Sequence, residues 1–113
     1  MSERTERLAE NETVFRAGNE AIEANRRGAP DGGAGERLYL CECGSATCFE
    51  QISLTRAQYE AVRAHPARFL VARGHEDESA GEVVVADGPG YVVVEKAAAG
   101  RQIAEDTDPR DDA

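Results

Sequence analysis

The chain predicts an α+β fold: an N-terminal helix, a flexible linker, then a small mixed or antiparallel sheet of about five strands with one capped helix. Three features carry that expectation. Leu8, Phe15 and Ile22 recur every seven residues in an otherwise polar stretch, and a seven-residue step returns to nearly the same helix face. Leu54-Thr55 followed by Gln58-Tyr59 spells a capped helix start. Two valine-rich runs, Glu82 to Ala86 and Tyr91 to Lys96, flank Asp87-Gly88-Pro89-Gly90, as in a strand–turn–strand hairpin.

Taken in order, residues 5–26 read as a helix with a thin apolar edge. The positions that would complete a coiled-coil seam are Asn11, Gly18 or Asn19, and Asn25, all poor for that purpose. Gly18 weakens the middle by about 1 kcal/mol relative to Ala. Such a helix docks lightly on the body or meets a partner. Residues 28–35, from Gly28-Ala29-Pro30 through Asp31-Gly32-Gly33 to Gly35, read as a flexible linker.

The body begins at Glu36. A strand over Arg37 to Cys43 puts Leu38 and Leu40 on one face and Tyr39, Cys41 and Cys43 on the other. Phe49 to Leu54 is the returning strand, across a turn at Gly44-Ser45-Ala46-Thr47. In the helix that follows, Thr55 caps the backbone, Gln58 reaches back, and Leu54 meets Tyr59 in a hydrophobic staple. Tyr59 and Val62 point inward with Ala57, Ala61 and Ala64 filling space, and Pro66 stops the helix near His65. Arg68 to Ala72 is a short buried strand, and Gly74-His75-Glu76 a loop. From residue 97 the chain loses apolar content and ends acidic, which reads as disorder. The expected division is therefore 1–35, polar helix and linker; 36–96, folded body; and 97–113, tail.

Composition narrows the function classes. The 113 residues carry 13 Lys+Arg against 22 Asp+Glu, a formal charge of −9. An acidic whole argues against nucleic-acid binding, which needs basic side chains on phosphates. The central stretch is locally basic through Arg56, Arg63, Arg68 and Arg73, a solvated, carboxylate-paired set in the plainest reading. No run of about 18 apolar residues is present to cross a membrane. The N-terminus lacks a secretory pattern, and three cysteines are an odd count, so a cytoplasmic chain with reduced thiols is expected.

Those cysteines are the chemical signal. All three lie in Cys41-Glu42-Cys43-Gly44-Ser45-Ala46-Thr47-Cys48. A buried-hydrophobe reading explains one free cysteine, not three beside a turn. A Cys41–Cys43 disulfide is disfavoured, because an extended strand holds alternate Cα atoms about 6.6 Å apart, near the bridging limit. Zinc takes thiolates at about 2.3 Å in a tetrahedron, and a turn through Gly44 can return Cys48 as a third ligand. The fourth ligand is open among His75, His65, Glu76 and Glu42. His65 suits a helix C-terminus, where a cationic ring meets the dipole. His75 sits in a glycine-flanked loop at a strand end, and Glu76 could orient its ring. The best ligand set is Cys41, Cys43, Cys48 and His75, a metal knuckle stapling a core too small to supply more than about 3–5 kcal/mol unaided.

Cys41-Glu42-Cys43, Cys48, Ile52-Ser53-Leu54-Thr55, Tyr59-Glu60, Val62-Arg63, Pro66, Arg68-Phe69, Gly74-His75-Glu76 and Tyr91 to Lys96 together resemble a family of small actinobacterial proteins. Phe15-Arg16 and Asn19-Glu20-Ala21-Ile22 are similar to that family too. The resemblance covers nearly the whole chain, implies no activity, and favours His75 over His65. It also marks a departure: Arg73 stands where the pattern has proline, which should loosen the His75 loop.

Phosphate-binding glycine motifs, the deaminase pattern and a serine nucleophile signature are missing from the sequence. A site closed by three thiolates and a histidine leaves no position for a reacting water, so no enzyme is expected. Two functions remain: a structural zinc module that meets an unidentified protein partner, or a thiol-based redox sensor using the same cysteines.

Overall fold

A computed structural model describes residues 3–30, 33–45, 47–77 and 81–110, and their side chains except those of residues 3–9 and 98–99. The Leu8 side chain, Asp31 and Gly32 of the linker, Ala46 of the first turn, and Asp111 and Asp112 of the tail lie outside the described residues. In chain order the elements are helix α1 (Glu3–Arg27), strands β1 (Arg37–Leu40) and β2 (Gln51–Leu54), helix α2 (Arg56–Arg63), strands β3 (Arg68–Ala72), β4 (Glu82–Gly88) and β5 (Tyr91–Lys96), and helix α3 (Ala98–Asp106). The α+β expectation is met, with an N-terminal helix, five antiparallel strands and a capped helix. The strands divide into a β1–β2 hairpin and a three-stranded sheet in the order β3-β5-β4.

Alternation places the core. On β1, Tyr39 is fully buried and Leu38 half exposed, and the same phase continues past the strand to buried Cys41 and Cys43. On β2, Ile52 and Leu54 point inward. Tyr39 stacks on Tyr59 of α2 with ring centroids 4.4 Å apart and planes 5° from parallel, an arrangement aromatic pairs favour when offset. Phe69, Leu70 and Val71 of β3 and Val92, Val93 and Val94 of β5 complete the interior. β4 lies at the sheet edge with a register shift between Val84 and Ala86, and Val83, Val84 and Val85 are exposed. A bulge of this kind discourages an edge strand from recruiting another chain.

Helix α2 begins as its sequence dictates. The Gln58 amide N–H donates to Thr55 Oγ1 at 3.2 Å, and the Thr55 N–H donates to Gln58 Oε1 at 2.8 Å. Its buried face is Tyr59, Val62 and Arg63, whereas Ala57, Ala61 and Ala64 are exposed. The expected alanine filling is therefore corrected: the volume beside Tyr59 is taken by the Arg63 guanidinium.

Three further expectations change. Helix α1 docks mainly through polar side chains and only secondarily through its apolar edge. Its fully or nearly buried residues are Glu12, Arg16, Asn19, Glu23 and Arg26, spaced four and three like the seam of a coiled coil but polar throughout. Arg16, Asn19, Glu23 and Arg26 hydrogen-bond to the body and Glu12 pairs with Lys96, while Phe15 and Ile22 are partly buried beside them, Ile22 against the core. The linker is tied down at its far end, since Arg26 donates to the carbonyls of Gly33 and Gly35 at 2.6 and 2.7 Å. The tail is not disordered over residues 98–110. Helix α3 packs on α1, Arg16 donates to the Ala104 carbonyl at 3.0 Å, and Arg110 bridges Glu20 of α1 and Glu60 of α2.

The central arginines form no open basic patch. Arg56 pairs with Glu23, Arg63 with Glu42, Arg68 with Glu95 and Arg73 with Asp87. Among the described residues, no helix is long and apolar enough to cross a membrane.

Candidate metal centre

Two chain segments meet at one end of the β1–β2 hairpin. The first leaves β1 at Leu40. Cys41 still pairs with the returning chain through its N–H to the Glu50 carbonyl at 3.0 Å, whereas the Glu42 N–H turns to β3, reaching the Leu70 carbonyl at 2.7 Å. Beyond Cys43 the chain reverses at Gly44, whose φ of 83° lies in the left-handed region open to glycine. α1 holds this turn, because Asn11 Nδ2 donates to the Gly44 carbonyl at 2.9 Å. A turn bond from the Cys48 N–H to the Ser45 carbonyl at 3.1 Å then returns Cys48 toward its companions.

The second segment leaves β3 at Ala72. Gly74, at φ 91°, again uses the left-handed region, and the His75 N–H closes the turn on the Ala72 carbonyl at 2.9 Å. Glu76 Oε1 accepts the Gly74 N–H at 2.8 Å, so this oxygen closes the loop instead of orienting the His75 ring. Arg73, the departure from the family pattern, makes its own contacts to the neighbouring turn. Its N–H reaches the Gly90 carbonyl, and its guanidinium binds Asp87 and the Gly88 carbonyl, linking the loop to the β4–β5 turn.

The Sγ atoms of Cys41, Cys43 and Cys48 and a ring nitrogen of His75 all lie within 4.8 Å of one another. His75 Nδ1 is 3.6 Å from Cys41 Sγ and 3.5 Å from Cys48 Sγ. A tetrahedral zinc with Zn–S near 2.3 Å and Zn–N near 2.0–2.1 Å sets about 3.6 Å between sulfur and nitrogen and about 3.8 Å between sulfurs. Two of the three sulfur–nitrogen edges, those from Cys41 and Cys48, already have that length, and the widest separation needs to close by no more than about 1 Å. The Ala72 N–H donates to Cys41 Sγ at 3.1 Å, a bond that stabilises negative charge on sulfur.

The electrostatics suit a cation. All three cysteines are free thiols. The side-chain contact with Cys43, reinforced by burial, raises the Cys41 thiol above its ordinary range. The hydrogen bond from Cys41, with further contacts to Ser45, His75 and Cys48, pulls Cys43 down to about 5. Burial raises Cys48. The sulfurs thus compete for protons among themselves, a competition that a divalent cation relieves by displacing the protons.

Behind the cluster stands a residue whose role the sequence did not disclose. Glu42, one of the candidate fourth ligands, is fully buried and engaged elsewhere. It accepts from Arg63 Nη1 and Nη2 at 2.8 and 2.9 Å, from the Leu70 N–H at 2.8 Å and from Asn19 Nδ2 at 2.7 Å. One side chain therefore ties α1, α2 and β3 to the residue between two of the sulfurs. Asn19 strengthens the same junction by bonding both the Leu40 carbonyl and the Leu40 N–H. The remaining candidate, His65, is exposed beyond the end of α2 and outside the cluster. The four sequence-predicted ligands are the ones brought together.

Fold and site define a class: a small α+β chain with a Cys3His cluster capable of coordinating a metal ion. No family model, curated protein or solved structure matches the chain.

Proposed function

We propose that the chain is a small zinc-binding module, the ion structural and held by Cys41, Cys43 and Cys48 Sγ with His75 Nδ1. The observation that carries this reading is the convergence of four donor atoms within 4.8 Å from segments some thirty residues apart. Thiolates with one imidazole suit zinc, being soft donors in a tetrahedral arrangement. A complete set of four protein donors leaves no open position for substrate, which favours a structural ion over a catalytic one. The ion would clamp the hairpin to the loop after β3, adding the cross-link that a small core lacks.

Its biological use, on this reading, is protein interaction or regulation in the cytoplasm, alongside the small actinobacterial proteins it resembles. Support comes from Phe49, which follows the last cysteine and is 86% exposed. A large aromatic left in water beside a rigid turn is the kind of anchor interfaces use. Native mass spectrometry of purified protein, beside a chelator-treated sample, tests the metal assignment. One zinc per chain, with cobalt substitution giving the absorption of tetrahedral thiolate ligation, supports it. Less than about half an equivalent of any metal, with the fold intact, overturns it.

A further inference from the structure

We propose that the same centre is a peroxide-responsive release site, in which Cys48 and Cys43 pair as a disulfide while Cys41 is spared. The proposal rests on the zinc reading for the fate of the ion, and on the shape of the site for the choice of cysteines.

The three sulfurs are not equivalent. An open cleft of about 580 Å³ reaches the centre from solvent, and among the described residues its walls include Cys43, Cys48 and His75 but not Cys41. Cys48 is half-buried, Cys43 is 8% exposed and Cys41 is 2% exposed. Cys41 is further occupied by the Ala72 N–H at 3.1 Å. Access decides which sulfur a small oxidant entering the cleft meets, and Cys48, the least buried of the three, is met first. Cys43 lies within 4.8 Å of it through the shared ligand cluster, and the left-handed turn at Gly44 already folds the two toward each other.

The chemistry balances with hydrogen peroxide as oxidant. The Cys48 thiolate attacks one peroxide oxygen, the O–O bond breaks, and the departing hydroxide takes a proton to become water. The resulting sulfenic acid is attacked by the Cys43 thiolate; the S–S bond forms, the S–O bond breaks, and a second hydroxide leaves as water. Two sulfurs have together lost two electrons and peroxide has gained them. Only Cys41 and His75 then remain as donors, and the ion is set free. A dithiol returns both electrons and restores the site.

The test uses the full chain loaded with zinc, its stoichiometry established first by native mass spectrometry. One equivalent of hydrogen peroxide is added, free zinc is followed with a metallochromic indicator, and disulfides are mapped by proteolysis. The expected result is release of the bound zinc, loss of two hydrogens from the intact mass, a Cys43–Cys48 linkage, and reversal by dithiothreitol with added zinc. Brief maleimide labelling of the zinc-free chain should modify Cys48 at least about tenfold faster than Cys41. Stoichiometric zinc with thiols that stay reduced, a linkage that includes Cys41, or oxidation that runs on to sulfinic acid overturns this inference and leaves the zinc reading standing. A chain that retains no zinc overturns the zinc reading, and the peptide map of that chain still decides the pairing. Cys41→Ser should form the same linkage; if that variant does not fold, the wild-type map alone decides.

Discussion

Glu42 and Arg63 are joined by two parallel hydrogen bonds in the interior, at 2.8 and 2.9 Å, with side chains 0% and 2% exposed. The pair sits directly behind the Cys41-Glu42-Cys43 segment, so the positions of two proposed ligands depend on a buried ion pair. Arg63 also donates to the Arg68 carbonyl and lies against the Tyr59 and Phe69 rings. Truncating one partner of such a pair leaves the other charge uncompensated, at a cost of about 3–5 kcal/mol. Glu42→Gln should destabilise the chain on that scale in urea titrations and weaken zinc binding by about 10–100-fold in chelator competition. The double substitution Glu42→Leu with Arg63→Met should recover much of the stability but not the affinity, because Leu70 and Asn19 lose their acceptor. Unchanged metal affinity in both variants would remove Glu42 from the site's architecture.

A second buried cluster joins α1 to the sheet. Lys96 Nζ lies 2.9 Å from Glu82 Oε2 and 2.8 Å from Glu12 Oε1, the latter at ion-pair distance but without hydrogen-bond alignment. One ammonium cannot compensate two buried carboxylates. Burial first, then the neighbouring Glu82, push Glu12 up to about 9 against the opposing pull of Lys96. Burial alone would lower Lys96, yet Glu12 and Glu82 more than offset it and hold it above its ordinary value. The sign for Glu12 follows from linkage: a folded-state value above the unfolded one means that the native state binds the extra proton. Its stabilising share is complete below about 4.5 and is lost as pH rises toward about 9, with a limiting slope of about 1.4 kcal/mol per pH unit. The difference in stability between wild type and Glu12→Gln, measured by denaturant titration from pH 5 to pH 10, should move in that direction and then level off. A flat difference would show that Glu12 ionises freely in the fold.

Arg110 ties the C-terminal segment to both α1 and α2, bonding Glu20 at 2.7 Å and Glu60 at 2.8 Å. The hydrogen bond from Arg110 holds the Glu60 carboxyl down to about 2. For a depressed acid the contribution is present above the unfolded value and is lost as pH falls through the folded one, here between about 4.5 and 2. Because Glu60 is 38% exposed, solvent screening keeps the pair to about 1 kcal/mol or less. Arg110→Ala should therefore leave the melting temperature nearly unchanged while increasing proteolytic cleavage after α3. Cleavage equal to wild type would mean that α3 is held by Arg16 and its own packing alone.

What the sequence disclosed follows a physical line. Thr55 with Gln58, and the valine runs around Gly88-Pro89-Gly90, are local patterns, and each formed the element its spacing dictates. The Cys3His cluster was readable because sulfur and imidazole donors carry their chemistry wherever they fall. α1 was half readable: its existence follows from the seven-residue spacing of Leu8, Phe15 and Ile22, but its buried face of Glu12, Arg16, Asn19, Glu23 and Arg26 is invisible to a search for apolar periodicity. Helix α3 has Ala97 at its N-cap, without a side-chain cap, and is held by a distant guanidinium, so no local signal announced it. Glu42 was hidden for a related reason. Between two inward-facing cysteines, strand alternation would send it to solvent, but β1 ends at Leu40 and the opposite side of the chain is covered by Leu70, Arg63 and Asn19.

The two histidines offer the sharpest separation of site from scaffold. His75 Nδ1 approaches two sulfurs at 3.5 and 3.6 Å, whereas His65 is exposed beyond α2. His75→Ala removes one of four donors, and zinc affinity should fall by about 100-fold or more, beyond the loss typical of a residue that only supports a ligand. His75→Cys supplies a fourth thiolate on the same Gly74 turn and should retain the ion, with a cobalt spectrum shifted toward four-sulfur ligation. His65→Ala should match wild type in both affinity and melting temperature. Treatment with chelator should lower the melting temperature of wild type, His65→Ala and His75→Cys alike while changing His75→Ala least, since that variant has little bound ion to lose. An affinity that follows His65 instead, or that ignores His75, would place the fourth donor elsewhere and break the link between the early hairpin and the loop after β3.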